Sequence, residues 1–312
     1  MSYLRSEPTT SCIGSVERGA IHTRKADGGA SRRESRTQLM DLPVSLVEDY
    51  QRDRHETSPE GFCAVYQVCL PYRGLGVWHV GDDDVVVDAN QVLFVRGGES
   101  YRMSGPVAGG YAEVIISPAI ELLSEIVGAG ETRLFDHSLF RNRCGLATSL
   151  LQSFRTRFLH WAGSASDNYG LEGEELVVAL LRAAIWQEYD TQPCGAATAR
   201  LIKRTKYYLE EHLADQIRLV DIGKAVGASP AYLTATFRRV EGLSLHQYLT
   251  QLRLARALAE LPYTDDLTTL ALDTGFSSHS HFTAAFRRAF GCTPSQFRMS
   301  TRSGVRPIGV AV

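Results

Sequence analysis

The chain has no apolar run near the roughly 18 residues that a membrane-crossing helix needs, and its first residues, Met1-Ser-Tyr-Leu-Arg-Ser-Glu-Pro, lack the apolar centre of a secretory signal. A protein of the cytosol is expected. Cysteine is scarce: Cys12, Cys63, Cys69, Cys144, Cys194 and Cys292 never form a C-x-x-C pair, the spacing that a zinc knuckle uses, and suggest no disulfide scaffold. They read as reduced, mostly buried small side chains. Histidine is nearly missing from residues 58–117, where His79 stands alone beside Trp78, so neither a metal site nor a cofactor is expected there.

Strong charge of one sign is also missing from the whole, but the total of −2 conceals two unequal halves. Residues 196–312 hold fifteen Lys/Arg against nine Asp/Glu, a surplus of +6; residues 1–195 hold eighteen against twenty-six, or −8. The C-terminal part suits a polyanion and the N-terminal part does not. A chain of 312 residues with 44% hydrophobic content has room for about two domains with cores of their own.

What the chain does have is a repeat. Leu233-Thr-Ala-Thr-Phe-Arg-Arg-Val-Glu-Gly242, continuing to Gln247-Tyr248, returns forty-nine positions later as Phe282-Thr-Ala-Ala-Phe-Arg-Arg-Ala-Phe-Gly291, continuing to Gln296-Phe297. Each copy follows a short apolar helix pattern and a glycine turn, at Gly227 and at Gly275. Helix, turn and basic helix, twice over, is the order of two tandem helix-turn-helix units, a device for reading double-stranded DNA in two major-groove segments.

The first reading helix is expected over 230–241, with Ser229 as N-cap and Pro230 at the first helical position. If Leu233, Phe237 and Val240 turn inward, the outward face carries Ala231, Thr234, Ala235 and Arg238, with Arg239 at the margin. The second is expected over 278–290, with Ser277 or Ser278 as cap, Phe282, Ala285, Phe286 and Phe290 inward, and His279, Ser280, Thr283, Ala284, Arg287 and Arg288 outward. Thr and Ala methyls suit the thymine methyl, and Arg suits guanine or phosphate. Between the units, apolar residues from Leu245 to Leu261 predict one helix that Pro262 stops, with Arg253 and Arg256 as ordinary surface charges.

The rest of the chain divides by pattern. Residues 1–40, rich in Ser, Thr, Gly and Arg without an apolar period, read as a disordered tail. Short apolar runs at 63–70, 76–80, 85–87, 91–95 and 111–116, separated by glycine turns, predict a strand-rich sandwich or small barrel. Helical spacing from Leu146 to Phe158 and from Leu176 to Ile185 predicts an antiparallel helix pair packed on the strands or on a partner, with Leu150 and Leu180 as the positions expected to matter if the pair dimerises. This strand-and-helix region spans 41–190, a linker covers 191–196, the tandem units occupy 197–300, and a tail covers 301–312. The fold class is therefore α+β.

The segment Gly275-Phe-Ser-Ser-His-Ser-His-Phe-Thr-Ala-Ala-Phe-Arg-Arg-Ala-Phe-Gly-Cys-Thr-Pro-Ser-Gln-Phe-Arg298 resembles the signature of AraC/XylS-type bacterial transcription regulators, G-F-x-S-x-S-x-F-x-x-x-F-[KR]-x-x-x-G-x-[ST]-P-x-x-[FY]-R. It departs at 235 and 284, where alanine replaces the long polar or basic side chain of many members. The resemblance implies promoter DNA and RNA polymerase as partners, a homodimer, a small-molecule effector, and activation rather than repression. It also implies a cupin-like sensory domain in the N-terminal half, with Val92-Leu-Phe-Val95 and Gly97-Gly-Glu-Ser-Tyr101 at a turn between strands, and Asn90-Gln91 where Gly-Asp is usual. Trp78, His79 and Tyr101 are the candidate effector contacts, and core packing explains them equally.

Two competitors belong to other classes. A cupin-type oxygenase or a DNA-repair methyltransferase fused to a DNA-binding module needs clustered His and carboxylate ligands or an activated Cys, and the sequence presents neither. An architectural DNA protein needs apolar wedges on a minor-groove face, where these helices present small polar ones.

Overall fold

The computed structural model describes residues 34–53, 55–128, 139–140, 142–164, 170–185 and 195–302. Ten strands come first: β1 Glu34–Leu42, β2 Ser45–Arg52, β3 Gly61–Cys63, β4 Gln67–Arg73, β5 Gly76–Val80, β6 Asp83–Val87, β7 Gln91–Val95, β8 Glu99–Ser104, β9 Tyr111–Pro118 and, after helix α1 Ile120–Val127, β10 Cys144–Leu146. They form two antiparallel sheets, one in the order β1-β2-β9-β4-β7-β10 and one in the order β3-β8-β5-β6. Helices α2 Ser149–Ser164 and α3 Gly170–Ile185 follow, then α4 Ala196–Glu211, α5 Leu219–Val226, α6 Pro230–Glu241, α7 Leu245–Glu260, α8 Leu267–Asp273, α9 His279–Phe290 and α10 Pro294–Arg302. A 3₁₀ turn, Leu261–Tyr263, carries Pro262 and ends α7.

The period-two alternation of a strand decides which layer each residue joins. On β9, Tyr111 and Ile115 pack between the sheets with Tyr50, Cys69, Leu93 and Met103, while Val114 and Ile116 face the helices with Val47, Val68 and Phe94. Against that second face lie Phe154 and Phe158 of α2 and Val177, Leu180 and Leu181 of α3. Central strands buried on both faces are continuously apolar rather than alternating, which is how β7 and β9 read in the sequence.

Glu113 breaks that apolar run. It is fully buried, and its Oε2 accepts a hydrogen bond from the Tyr111 hydroxyl at 2.6 Å. Burial outweighs this bond and the Arg36 charge and pushes the carboxyl up to about 7. A folded value above the unfolded one contributes stability that is complete below about pH 4.5 and is lost as pH rises through 7. The wild-type chain should therefore gain about 2 kcal/mol at pH 5.5 over pH 8 relative to Glu113→Gln. Urea unfolding of both proteins at the two pH values tests this, and an identical pH difference in the two would refute it.

Several boundaries differ from the expected ones. Residues 34–40, assigned to the tail, belong to β1, an edge strand whose pairing with β2 runs from Glu34 opposite Arg52 to Leu42 opposite Ser45. Its exposed residues are polar or charged, so no apolar period marks it. The remainder of the tail, 1–33, lies outside the described residues. The run 63–70 is not one strand: the chain leaves β3 in the smaller sheet, bends at 64–66 and enters the larger sheet as β4. Ala196, the last linker position, already begins α4; 191–194 lie outside the described residues, as do 303–312, whereas Thr301 and Arg302 still belong to α10. Leu180 is completely buried against the sheet, so it is a core residue and not an interface position; Leu150 is exposed.

The C-terminal helices hold two cores. Ile202, Ile222, Leu233, Phe237 and Tyr248 cluster around the first unit, and Leu258, Leu270, Phe282, Phe286 and Phe297 around the second, with α7 supplying residues to both. Gly227 (φ +73°) and Gly275 (φ +84°) make the two turns in the left-handed region. At Gly275 a Cβ would also come within 2.5 Å of the Leu213 carbonyl, so the turn packs against the segment between α4 and α5.

A polar seam joins the strand domain to these helices. The Tyr248 hydroxyl donates to buried Asp88 on the turn between β6 and β7, and Asn90 Nδ2 donates to the Tyr248 carbonyl at 3.1 Å. Lys203 pairs with Asp84, and the Arg157 guanidinium of α2 lies 4.6 Å from the Phe297 ring centre.

Candidate nucleic-acid interface

The two helices expected to read DNA, α6 and α9, begin as their sequences dictate. Ser229 has extended backbone geometry and accepts a hydrogen bond from the Tyr232 amide at 3.3 Å, with Pro230 at the first helical position. Of the two serines ahead of α9, Ser278 is the cap and accepts from the His281 amide at 3.1 Å. Ser277 instead contacts His281 Nδ1 at 3.2 Å. Gly242 and Gly291 stop the two helices at equivalent points of the repeat.

The faces are those the periodicity requires. Leu233 and Phe237 are inaccessible, and Ala231, Thr234, Ala235, Arg238 and Arg239 are exposed. On α9, Phe282 and Phe286 are inaccessible, and His279, Ser280, Ala284, Arg287 and Arg288 are exposed. Among the described residues, none of the four arginines Arg238, Arg239, Arg287 and Arg288 forms an ion pair. Their placement in the last turn of each helix suits the negative end of the helix dipole and leaves the guanidinium groups free for an external anion.

Thr283 departs from the expected outward, hydrogen-bonding role. It is only half-exposed, and its hydroxyl oxygen is buried without a partner. Thr234 is exposed, yet its hydroxyl donates within the helix to the carbonyls of Pro230 (2.9 Å) and Ala231 (3.1 Å). Sequence spacing places a side chain on a face; it does not set χ1, which backbone acceptors one turn back decide.

Two residues at this surface were not expected. Tyr232 is 54% exposed on the first turn of α6. Thr293 joins the face of α9 in a shallow groove of about 780 Å³. Thr293 caps α10 by accepting from the Gln296 amide at 3.2 Å, as Ser244 caps α7 by accepting from Gln247 at 3.2 Å forty-nine residues earlier. That repeated S/T-x-x-Q box was the available signal. Arg253 is not a simple surface charge: it donates to the carbonyls of Leu213 (2.8 Å) and Asp215 (2.6 Å), while Arg256 pairs with Glu260.

The helix-turn-helix domain family matches residues 222–300. The chain is 28% identical over 107 residues to the regulatory protein PocR of Salmonella typhimurium, covering 34% of this chain and 35% of PocR. It is 32% identical over 100 residues to the transcriptional regulator ExsA of Pseudomonas aeruginosa (32% and 36%), and 30% identical over 127 residues to MtrA of Neisseria gonorrhoeae (39% and 42%). The C-terminal part of the chain therefore holds a helix-turn-helix domain similar to those of transcriptional regulators. The matched region spans from about a third to two fifths of these relatives. Among solved structures, an AraC-type regulator from Chromobacterium violaceum is 28% identical over 34% of this chain and 96% of its own, with a TM-score of 0.32. ToxT of Vibrio cholerae is 10% identical over 82% of this chain and 98% of its own, with a TM-score of 0.33.

Ahead of the helix-turn-helix domain, the structure separates the three candidate effector contacts. Trp78 is buried between the sheets and stacks on Tyr101, with ring centres 4.2 Å apart at 29°. His79, the next residue along β5, points the other way: Nδ1 lies 2.5 Å from Asp84, which also holds Lys203 of α4, and Nε2 lies 2.9 Å from Ser104 Oγ. His79 therefore belongs to the seam, and the alternation of the strand is the reason. A cleft of about 550 Å³ lies elsewhere, walled by Asp49 and Arg73 of the sheet, His160 of α2, and Arg256 and Tyr263 after it. Among the described residues no three His, Cys, Asp or Glu side chains are grouped as metal ligands, and no helix is long and apolar enough to cross a membrane.

Proposed function

We propose that the protein is a sequence-specific regulator of transcription that reads two successive major-groove segments of double-stranded DNA with α6 and α9. The observation that carries this reading is the double occurrence, on capped helices of one repeat, of an exposed face of small side chains ending in two unpaired arginines. Small residues let the helix backbone approach the base edges, and the arginines hold phosphates or guanine. Activation through RNA polymerase and homodimer formation rest on the family resemblance. Response to a small-molecule effector is supported further by the cleft, whose walls come from both halves of the chain, so that an occupant would bias their packing.

Gel shifts of the full chain on DNA selected from a random pool test the reading. Arg239→Ala and Arg288→Ala should weaken binding to all sequences and reduce the log–log salt slope by about 0.9 per lost phosphate contact. His279→Ala should instead relax preference at particular base pairs, at a cost of about 1–3 kcal/mol there. Equal losses on selected and random DNA for all three variants would refute the division of roles.

A further inference from the structure

We infer that the centre of each reading face recognises thymine through its C5-methyl group and makes no hydrogen bond to a base there. The inference rests on major-groove reading by α6 and α9. At the four central positions of the repeat, 234, 235, 283 and 284, no side chain has a hydrogen-bond donor to offer a base. Ala235 and Ala284 are exposed and end at a methyl. Thr234 spends its one hydroxyl proton on the helix carbonyls at 2.9 and 3.1 Å, and the Thr283 hydroxyl oxygen has no exposed surface. Hydrogen-bonding groups are held at the ends of the faces: His279 and Ser280 at the start of α9, and the arginine pairs at the last turns.

Among the four bases only thymine offers a methyl in the major groove, beside its O4 acceptor; adenine, guanine and cytosine present polar groups with no methyl for an apolar side chain to cover. Such a centre therefore selects thymine by burying methyl against methyl, and against Ala235, Ala284 and the hidden Thr283 hydroxyl it disfavours cytosine, whose amino group would lose water without gaining an acceptor. The two units share this centre, so both half-sites should carry thymine at equivalent positions.

The test uses the full chain and the site selected from random duplex. Replacing single thymines by deoxyuridine removes only the methyl, and it leaves the protein untouched. At one thymine in each half-site, binding should fall about fourfold, the value of one buried methyl-sized group at about 0.8 kcal/mol. Thr234→Ser and Thr283→Ser, which remove the methyl and keep the hydroxyl, should reproduce that loss on thymine DNA and add nothing on deoxyuridine DNA. Thr234→Val and Thr283→Val, which keep a methyl and remove the hydroxyl, should bind within twofold of wild type. Equal affinity for thymine and deoxyuridine sites throughout, or valine variants weaker than the serine ones, overturns the inference while DNA reading stands. Failure of the wild-type chain to enrich any sequence overturns the reading on which it rests.

Discussion

Phe286→Ala is expected to lower the stability of the second helix-turn-helix unit by about 3–5 kcal/mol, the cost of emptying a phenylalanine site in a close-packed core. The ring is inaccessible and sits among Phe282, Phe290 and Phe297, with centres 5.6, 4.5 and 5.8 Å away. Its equivalent, Phe237, is equally buried but has Tyr248 against it, edge to face at 5.1 Å. Because the two cores are separate clusters that share only α7, the loss should stay local. Footprinting of Phe286→Ala on the selected site should show protection lost over one half and kept over the other, and amide exchange should accelerate in α8 to α10 first. Simultaneous loss over both halves would mean that the domain unfolds as one block and that α7 transmits the damage.

Glu241→Ala should cost a similar amount, about 3–5 kcal/mol, because it strips a partner from a buried ammonium group. Lys206 of α4 is 3% exposed, and its Nζ lies 2.8 Å from Glu241 at the end of α6. Burial pulls the ammonium down, but the Glu241 and Asp88 carboxylates outweigh it and hold Lys206 above the ordinary lysine value. With Glu241 gone, Asp88 is the remaining counter-charge, and burial in turn pushes that carboxyl up. The double variant Lys206→Met with Glu241→Leu fills the same space without charge and should recover most of the loss. Denaturant unfolding of the three proteins separates the outcomes. A double variant as unstable as Glu241→Ala would show that the site requires the charges themselves.

This network also bears on the isolated fragment 196–312. Both helix-turn-helix cores lie within it, so it is expected to fold, but it lacks Asp88 and Asn90, which hold Tyr248 in the full chain. The first unit should accordingly be the softer of the two in the fragment.

Much of the DNA-reading half was legible without coordinates. The cap, proline and glycine signals bound α6 at Pro230 and Glu241 and α9 just after Ser278, because such signals act within one turn of the chain. The strands at 76–80 and 91–95 were equally plain, as short apolar runs between turn residues. β1 was not, since an edge strand with polar exposed residues looks like a tail until its partner is known. Neither was the change of sheet at 64–66, where one apolar run serves two layers.

The sequence by itself determined the repeat, the local geometry of α6 and α9 and the positive surplus of the C-terminal half; the first two depend on residues within a turn or two of each other, and the last on composition alone. Tertiary structure alone decided the rest: that His79 joins the seam while Trp78 and Tyr101 stack between the sheets, that Leu180 is core, that Lys206 finds Glu241 and Asp88, and that the Thr283 hydroxyl is hidden. Each of these follows from which distant surface covers a side chain, and burial by a remote partner leaves no periodic trace in the chain that carries it.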